Sequence, residues 1–380
     1  MSEDIALYAG SFDPMTNGHL WVIESASRQF KTVYVAIGFN PGKPNERFPI
    51  NTRLEMLKRA TNHLSNVKIT SFIGQYQVDF AESLGASVLI RGVRNGTDFM
   101  AESDMKFIND GINPNIDEMV FVPPKDLLQI SSTTVMGLIG YEGWEPEVQK
   151  MVPNIVFPYL KEYQQSKDNF NLKRTFFEVC SMIKNGRSTY SEDLWNEFIT
   201  RYSEPHRFYH TAQHIKYCLN EYELVRKHFE DSLMAKVGIL YHDIIYNPLS
   251  NTNEIESVDY AEHCGLLNTA FYSSAAAKII MATTHQQHNL SMDEKLVADI
   301  DIAGFGKSER IFRYNNELVR KEYPTIPEKE YAEGRIKVLS RFIKRPSIFL
   351  SPQFADRYER QARINLARHT EELKDAINKA

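Results

Sequence analysis

The sequence predicts an α/β domain built on a parallel sheet, followed by an all-α domain. In the first 165 residues, short β-rich runs alternate with amphipathic helical stretches, which is typical of βαβ units. From about residue 170 onward only helical periodicity is found, interrupted by Asn-Gly and X-Pro turns. A polar stretch at 161–169 separates the two patterns, so we expect domains of residues 1–165 and 170–380.

The first domain is expected to contain five strands. They are predicted at 5–9, 32–39, 67–72, 87–90 and 119–122. Helices are predicted between them at 20–30, 52–64, 76–84 and 99–109. In sheets of this kind ligands bind beyond the carboxyl ends of the strands, so the loops that follow the strands are where chemistry is expected.

The amino-acid composition argues against two classes of binding partner, nucleic acids and membranes. The 380 residues include 44 Lys and Arg against 49 Asp and Glu, a formal net charge of −5, which argues against nucleic-acid binding. Cys180, Cys218 and Cys264 are irregularly spaced, which favours reduced thiols in a cytoplasmic protein over a disulfide framework. No apolar run approaches the length of a membrane span, so we expect no membrane partner.

The first motif, GSFDPMTNGHL at 10–20, lies directly after the first predicted strand. Gly10 permits a tight turn and close approach of a ligand to the backbone. Gly18 and His19 open the next helix, where free N–H groups and the helix dipole favour an anion. The arrangement predicts a phosphate site with His19 as a donor, and a surface histidine that only caps its helix is the alternative.

Cations and hydroxyl groups follow three further predicted strands: Lys43 after the second, Arg91 and Arg94 after the fourth, and Ser131, Ser132 and Thr133 after the fifth. Taken singly, each has an ordinary structural explanation as a solvated lysine, a surface ion pair or a helix N-cap. Gathered at one edge of a sheet, they suit a triphosphate and a second phosphate that attacks it. Such a transfer needs positioning and charge stabilisation, and no protein nucleophile.

Residues 5 to about 160 resemble phosphopantetheine adenylyltransferases of the nucleotidylyltransferase superfamily. The resemblance is carried by the ordered motifs GSFDPxTNGH, NPxK, VDFA, RGxRxxxDFxxE and ISST. It implies a Rossmann-like domain that transfers AMP from ATP, with Mg²⁺, to 4'-phosphopantetheine and releases dephospho-CoA and pyrophosphate. Because the family usually forms hexamers, the resemblance also implies a homo-oligomer.

The resemblance implies roles for individual residues. His19 would stabilise the transition state at the α-phosphate, and Lys43 and Arg94 would be further catalytic residues. Residues implied at the acceptor are Ser11, Lys43, Gln77 and Arg91. Residues implied at ATP are Ser11, Phe12, His19, Gly92, Val93, Arg94, Glu102, Leu127, Leu128, Gln129, Ile130, Ser131, Ser132 and Thr133. Departures from the family pattern, which leave a different phosphorylated acceptor open, are Trp21, Tyr76, Gln77 and Met136.

The helical half contains a second group of polar residues in apolar surroundings. If the segment RFYHTAQHI is helical, His210 and His214 share one face. Further along come adjacent His242 and Asp243, then His285, then Asp299 and Asp301. A buried His-Asp pair is costly unless both groups bind something, and nitrogen and oxygen ligands suit Mn, Fe, Ni, Zn or Mg. We expect no cysteine near this pattern, and the alternative is a set of packed core histidines and helix-capping aspartates.

This half resembles the HD superfamily of metal-dependent phosphohydrolases in the segments R-x-Y-H-T-x-x-H-I, H-D, N-E and D-x-D. The implied metal ligands are His214, His242, Asp243 and Asp301, the last preferred to Asp299. The resemblance leaves His210 as a general acid or phosphate contact, and His285 as a phosphate ligand or a second-metal ligand. The whole chain is then expected to be a bifunctional enzyme, and the alternative is that one half is a non-catalytic ligand-binding regulatory module.

Overall fold

A computed structural model describes residues 2–39, 46–183, 192–263, 270–286 and 288–379. Lys43 and Cys264, both singled out above, lie outside the described residues. The chain divides into two compact units, residues 1–164 and 165–380. Each unit is described by itself below.

The first unit is organised around a sheet of five parallel strands, in the order β3-β2-β1-β4-β5. The strands are β1 Ser2–Gly10, β2 Phe30–Phe39, β3 Val67–Ile73, β4 Val88–Gly92 and β5 Asp117–Phe121. The predicted parallel sheet is therefore confirmed. Strand order reverses between β1 and β4, and in doubly wound sheets a crevice for ligands opens at the carboxyl ends of that strand pair.

Helices cover both faces of this sheet. They are α1 Asn17–Ser27, α2 Ile50–Ala60, α3 Gln77–Ser83, α4 Gly96–Ile112, α5 Ser132–Leu138 and α6 Glu145–Gln149. Consecutive residues of β1 show the two faces, because Ala6 packs into one hydrophobic cluster and Leu7 into another. A parallel sheet buried on both faces needs nearly continuous apolar strands, and on β2 Val33 and Val35 face one cluster while Tyr34 and Ala36 face the other.

Several element boundaries differ from the predicted ones by two to four residues, and the difference near residue 30 has a clear physical reason. The helix predicted over 20–30 begins earlier, at Asn17, and ends at Ser27, while Phe30 is the first residue of β2. Phe30 is almost fully buried in the sheet cluster that contains Val33. Its apolar character suited either element, and packing against the sheet decided between them.

The described part of the second unit is helical and contains no strand. Its helices are α7 Phe157–Ile183, which crosses the unit boundary, α8 Glu192–Arg201, α9 Ala212–Val225, α10 Ser232–Tyr241, α11 Asn253–His263, α12 Ala270–Ala282, α13 Met292–Asp301, α14 Glu309–Lys321, α15 Glu328–Ile343 and α16 Pro352–Lys379. Within the described ranges of the whole chain, none of the helices combines the length and apolarity that spanning a bilayer requires.

Three helices of this unit, α9, α10 and α13, pack against one another and supply its polar cluster. Asp231 begins α10 by accepting hydrogen bonds from the backbone N–H groups of Leu233 and Met234. Ser291 and Glu294 form a reciprocal capping box at the start of α13. Gly238 lets α10 approach α12 closely, since a Cβ at this position would overlap Ile279. The caps fix where α10 and α13 begin, and the polar cluster lies at the opposite, C-terminal ends of these two helices.

Candidate functional sites

A cleft of about 260 Å³ opens at the carboxyl ends of β1 and β4. Its lining comes from both strand ends, from the start of α1 and from the start of α5. The lining residues are Tyr8, Ser11, Thr16, Gly18, His19, Val22, Gly92, Arg94, Pro123, Ile130, Ser131, Ser132 and Thr133. The structure thus brings together His19, Arg94 and the hydroxyl groups that follow β5, which the sequence placed on three separate loops.

His19 is held at the start of α1 by Thr16. The Thr16 hydroxyl accepts the backbone N–H of His19 at 3.4 Å, and the backbone N–H of Thr16 donates to His19 Nδ1 at 3.1 Å. Because Nδ1 accepts from an N–H group, the ring proton of the neutral imidazole must lie on Nε2. Burial, with a smaller contribution from Arg94, lowers the pKa of His19 to about 4. At neutral pH, His19 is therefore an uncharged donor in the lining of the cleft.

Arg94 lines the same cleft as His19 and is anchored by the start of α4. Its Nε donates to Asp98 Oδ2 at 2.8 Å and its Nη2 donates to Asp98 Oδ1 at 3.3 Å. Its Nη1 donates to the carbonyl of Ile130 at 3.2 Å. This two-point contact fixes the plane of the guanidinium group, so a positive charge stands at the cleft at little cost in side-chain entropy.

The loop that follows β1 is fixed by two buried charged residues. Asp13 accepts the backbone N–H groups of Arg47 at 2.8 Å and Phe48 at 3.0 Å. Arg53, one of the largest fully buried side chains, donates to the carbonyls of Ser11 at 2.9 Å and Phe48 at 2.9 Å. Buried polar groups paired in this way give the GSFDP turn one conformation, which positions Ser11 at the cleft.

The serines after β5 combine capping with lining. Ser131 is the N-cap of α5, and its hydroxyl oxygen accepts the backbone N–H of Thr134 at 2.9 Å. Helix capping, the structural alternative for this residue, is therefore confirmed for its oxygen. Ser132 donates to the carbonyl of Pro14 at 2.8 Å and ties α5 to the GSFDP turn. Gly92 faces Tyr8 and Val22 so closely that a Cβ would lie 3.2–3.3 Å from their side chains.

Arg91, Gln77 and Glu102 form a separate cluster and are not part of the cleft lining. Arg91 Nη1 donates to Gln77 Oε1 at 3.0 Å, its Nη2 meets Glu118 at 3.1 Å, and its Nε meets Glu102 at 3.2 Å. Asn109 donates to the same Glu118 carboxylate at 2.9 Å. The guanidinium group is buried and paired with both carboxylates, while its Nε makes no hydrogen bond. An incoming anion would have to replace one of these carboxylates.

The other predicted ATP residues lie beside the cleft. Phe12, at a φ of 45°, makes an edge contact with the His19 ring, the ring centroids being 5.1 Å apart. Val93 is buried, and Leu127, Leu128 and Gln129 precede the lining segment without contributing to it. Sequence reasoning missed Tyr8, Val22 and Pro123 as lining residues. Val22 could have been predicted as a lining residue, because it lies one helical turn after His19 on the same face of α1.

A parallel sheet with an anion-binding cleft at its carboxyl edge is typical of nucleotide-binding proteins. Comparison with known proteins identifies the family. Residues 7–137 match the family described as cytidylyltransferase-like. The phosphopantetheine adenylyltransferase of Chromobacterium violaceum is 40% identical over 152 residues, which are 40% of this chain and 92% of that protein. The Streptococcus uberis protein of the same name is 38% identical over 169 residues, 44% of this chain and 99% of that protein.

The chain, through its first unit, belongs to the phosphopantetheine adenylyltransferase family. A third relative of that name, from Neisseria meningitidis serogroup C, is 38% identical over 160 residues, 42% of this chain and 94% of that protein. Among solved structures, one match is Thermotoga maritima TmcAL bound with alpha-thio ATP, and the alignment covers 98% of the present chain and 94% of the TmcAL chain at 11% identity. Its TM-score of 0.31 is too low to support a shared fold. The cytidylyltransferase-like match does not include the helical unit.

In the second unit, the structure brings together His214, His242, Asp243 and Asp301. Their ligand atoms all lie within 4.8 Å of one another. His214 Nε2 is 3.3 Å from Asp301 Oδ1 and 3.7 Å from Asp243 Oδ2, and His242 Nε2 is 3.1 Å from Asp243 Oδ2 and 3.5 Å from Asp301 Oδ1. Donor atoms that share one ion with bonds of about 2.0–2.2 Å are separated by distances of this size.

Helix ends place these four side chains. His214 is on the first turn of α9, His242 caps the C-terminus of α10, Asp243 follows directly, and Asp301 is the last residue of α13. His242 Nδ1 donates to the carbonyl of Ile239 at 3.0 Å. Nε2 of His242 is therefore the nitrogen that faces the carboxylates, as in histidines whose second nitrogen binds a metal. Burial opposes it, but the charges of Asp243 and Asp301 raise the pKa of His242, so a metal at Nε2 would replace a proton.

The charges and unpartnered atoms of this cluster fit a divalent cation. His242 Nε2 and Asp243 Oδ2 are buried without hydrogen-bond partners. Although burial opposes it, the histidine neighbours hold the pKa of Asp243 below its ordinary value, so two carboxylates face each other in ionised form. Burial, and then the charges of Asp243 and Asp301, raise the pKa of half-buried Glu254. The histidines balance these carboxylates here, and a divalent cation bound between them would take over that role.

His210 lies outside the four-residue cluster. It precedes α9, whose N-cap is Thr211, so it does not share a helical face with His214 as the helical reading expected. Its Nδ1 is 2.7 Å from Glu322 Oε2, and its ring stacks on Tyr246 with centroids 4.2 Å apart. Burial opposes the change, but the carboxylates of Asp243 and Glu322 raise the pKa of His210.

Glu322 holds the segment that carries His210. Its Oε1 accepts the backbone N–H groups of Phe208, Tyr209 and His210 at 2.7–3.0 Å, and the Tyr246 hydroxyl donates to Oε2 at 2.8 Å. Burial alone would raise the pKa of Glu322, but these hydrogen bonds and the charge of His210 lower it to about 2. A buried carboxylate with this many donors fixes both the loop and the imidazole.

The remaining predicted residues separate into two groups. His285, at a φ of 56°, lies with Nε2 3.1 Å from Asp301 Oδ2 and therefore borders the cluster. Asp299 accepts the backbone N–H groups of Leu350 and Ser351, both at 2.7 Å, and takes no part in the cluster. Residues two apart on a helix point to different sides, so only one of the two aspartates can face the site.

The expectation that no cysteine lies near this pattern is wrong. Cys218 Sγ lies 3.5 Å from His214 Nε2. The sequence contained the signal, because Cys218 follows His214 by four residues on α9 and so shares its face. Spacing within a helix, rather than distance from the His-Asp motif, decided which thiol is near the site.

Proposed function

We propose that the first unit transfers the adenylyl group of ATP to 4'-phosphopantetheine and releases pyrophosphate and dephospho-CoA. The single observation that carries the proposal is the position of neutral His19 at the start of α1, in the lining of the same cleft as Arg94. Thr16 binds Nδ1 of this histidine, so Nε2–H is its free donor. The relatives that carry the name phosphopantetheine adenylyltransferase support the same reaction.

In the proposed reaction, a phosphate oxygen of the acceptor forms a bond to the α-phosphorus of ATP, and the bond from that phosphorus to the pyrophosphate oxygen breaks. His19 Nε2–H and the Arg94 guanidinium donate to phosphate oxygens whose charge grows in the transition state. The hydroxyl groups of Ser131 and Thr133 hold the triphosphate. Mg²⁺ enters with ATP as part of the substrate.

The acceptor phosphate is assigned to Ser11, Lys43, Gln77 and Arg91. Arg91 would take this role by exchanging its ion pair with Glu102 or Glu118 for the phosphate, with Gln77 orienting the guanidinium group at 3.0 Å. The acceptor itself is tested by screening phosphorylated pantetheine and other phosphorylated acceptors for ATP-dependent release of pyrophosphate. Turnover with 4'-phosphopantetheine is expected, and turnover with a different acceptor alone would replace the first proposal by the alternative one.

For the second unit we propose a metal-dependent phosphohydrolase of the HD type that cleaves a phosphoester or phosphoanhydride. His214, His242, Asp243 and Asp301 would hold a divalent metal, and the buried unpartnered atoms of His242 and Asp243 are the observation that carries this assignment. A bound divalent cation supplies Lewis acidity at the phosphoryl group and activates water. Within this site, His210 donates a proton to the leaving oxygen, Glu322 keeps His210 oriented, and His285 contacts the phosphate.

Metal analysis of the purified full-length protein tests this assignment. We expect one divalent metal, among Mn, Fe, Ni, Zn and Mg, that is lost together with hydrolysis of phosphoesters when Asp301 is replaced. The competing idea is a ligand-binding regulatory module without catalysis. Metal binding with no hydrolysis of any phosphoester or phosphoanhydride would favour that idea.

We further propose that the protein forms a homo-oligomer in the cytoplasm. The apolar residues of α4 support the assembly, because Phe99, Met100, Phe107 and Ile108 are all at least half exposed. Cys180 and Cys218, which are reduced and buried, support the compartment. Light scattering of wild type and of Phe107→Glu tests the assembly, and an unchanged mass in the variant would contradict a role for α4.

A further inference from the structure

The thiol of Cys218 lies within the metal-ligand cluster of the second unit. Cys218 Sγ is 3.5 Å from Nε2 of His214 and 3.9 Å from Nδ1, so it is closest to the nitrogen that also faces Asp301. Cys218 and His214 are both buried, at 2% and 4% exposure. Sulfur, nitrogen and carboxylate oxygen therefore approach one another in a region closed to solvent.

Two overlapping ligand sets use the same pair of imidazoles. The ligand atoms of His214, Cys218 and His242 lie within 4.8 Å of one another, and the same is true of His214 and His242 with the two aspartates. Both sets share His242 Nε2, which is buried and forms no hydrogen bond, although Asp243 Oδ2 lies 3.1 Å away. Its Nδ1 donates to the Ile239 carbonyl, so Nε2 is the nitrogen that would exchange a proton for a cation.

The distance between Cys218 Sγ and His214 Nε2 equals that between two ligands of a tetrahedral ion, but Sγ also lies 3.9 Å from Nδ1, beside the ring, so the imidazole must rotate before Nε2 and the sulfur can share an ion. Zinc–sulfur bonds of about 2.3 Å and zinc–nitrogen bonds of about 2.0 Å, at a tetrahedral angle, separate the two donors by about 3.5 Å. The Cys218 Sγ to His214 Nε2 distance is 3.5 Å. Thiolate ligands select soft ions, whereas carboxylate oxygens suit magnesium and manganese, so the two sets differ in the ions they prefer.

We propose that His214, Cys218 and His242 form a second ligand set for thiol-preferring divalent ions such as Zn²⁺ and Cd²⁺. An ion held by this set competes with the ion held by the His/Asp set, because both require the same two imidazoles. Binding replaces the S–H bond of Cys218 by a sulfur–metal bond, and the thiol proton passes to solvent. The inference rests on the metal site of the proposed function, and it predicts that Zn²⁺ or Cd²⁺ inhibits hydrolysis supported by Mn²⁺.

Cadmium titration of the metal-free, full-length protein tests the proposal, because thiolate–cadmium bonds absorb in the ultraviolet. We expect one equivalent of Cd²⁺ to produce this absorption in wild type and in the control Cys180→Ser, which removes another buried cysteine. Cys218→Ser should lack the absorption and bind Cd²⁺ at least about tenfold more weakly. Its affinity for Mn²⁺, measured by electron paramagnetic resonance, should be unchanged. Cys264 is present in all these proteins, so its contribution cancels.

The outcomes separate this inference from the proposed function. An absorption of equal size in Cys218→Ser, or none in wild type that binds Mn²⁺, overturns the second ligand set alone. Loss of Mn²⁺ affinity in Cys218→Ser also overturns it, because Cys218 would then belong to a single shared site. Binding of Cd²⁺ through Cys218 without any Mn²⁺ binding contradicts the His/Asp set of the proposed function instead. If Cys218→Ser does not fold, the test is whether Cd²⁺ displaces bound Mn²⁺ from the wild-type protein. If it does not, the two ligand sets do not compete and the proposal is overturned.

Discussion

The two units arrange polar residues in opposite ways. In the first unit, uncharged His19 and positive Arg94 line an open cleft, and backbone contacts or a carboxylate behind them hold both in place. In the second unit, imidazoles and carboxylates converge on one point with unpartnered buried atoms. The first arrangement suits an anion bound directly by protein donors, and the second suits an anion bound through a cation.

The comparison also teaches where the energetic cost of each site falls. Donors at a helix start and a guanidinium group paired with Asp98 are satisfied without a ligand, so the cleft is organised before nucleotide arrives. Two buried carboxylates beside three histidines need a counter-charge, which protonated imidazoles supply in the absence of a metal and a bound cation would supply in their place. Removal of a metal should therefore affect the second unit and leave nucleotide binding by the first intact.

The largest expected effect is on the first unit. His19→Ala removes a donor to the transition state, so pyrophosphate release should fall by about 100- to 1000-fold while phosphoester hydrolysis is unchanged. The measurement is a coupled pyrophosphate assay with ATP and 4'-phosphopantetheine. The exposed His63, which pairs with Glu24, supplies the control variant His63→Ala, which should behave as wild type. Equal loss in both variants would remove His19 from the mechanism.

A matching change breaks the second unit alone. Asp243→Ala deletes a carboxylate from the ligand cluster, so metal affinity and hydrolysis should each fall by at least about 100-fold, while pyrophosphate release stays at the wild-type rate. Metal content by mass spectrometry and phosphate release are the two readouts. Asp259→Ala, on the exposed surface of α11, is the control. Full metal content in Asp243→Ala would disprove the assigned ligand set.

A smaller effect is expected when the residue behind His210 is changed. Glu322→Gln retains an oxygen for the backbone N–H groups but loses the charge that raises the pKa of His210, so hydrolysis should fall by about 10- to 100-fold with unchanged metal affinity. The alkaline limb of the rate profile should move to lower pH, because His210 then loses its proton earlier. Glu317→Gln on α14 controls for a surface charge change. An unshifted profile would leave Glu322 a purely structural role.

The smallest effect concerns pH and the first unit. The pKa of His19 is lowered from an ordinary 6.5 to about 4, so between these values the unfolded chain binds a proton that the folded unit does not. Stability contributed by this residue is therefore lost as pH falls from 6.5 to 4. Wild type should lose more melting temperature over this interval than His19→Gln. Parallel melting curves for the two proteins would show that His19 is not held in its neutral form.

Much of the fold could be predicted because it is encoded by neighbouring residues. The alternation of strands and helices is visible along the chain, and the parallel sheet of the first unit follows from it. Residue 30 shows the limit of such reasoning, since an apolar aromatic side chain suits the end of a helix and the start of a strand equally well. Burial against Val33 and its neighbours placed Phe30 in β2.

The sequence predicted which residue types each site contains better than which of those residues lie together in space. Motifs identified His19, Arg94 and the hydroxyl groups after β5, which do line one cleft. They also assigned Glu102 to ATP, whereas this residue pairs with Arg91 in a separate cluster. Such pairings join residues on different elements, and their geometry depends on how far each helix turns before it meets its neighbour.

The sequence by itself determined the two kinds of architecture and the chemical character of each site, because periodicity and side-chain type are local properties. The family resemblance already favoured Asp301 over Asp299 as a ligand, but only the tertiary structure decided that Asp299 holds Leu350 and Ser351 and that Cys218 lies beside His214. The physical reason is that a ligand set is defined by distances of 3–4 Å between side chains far apart in the chain. Packing of whole helices sets those distances.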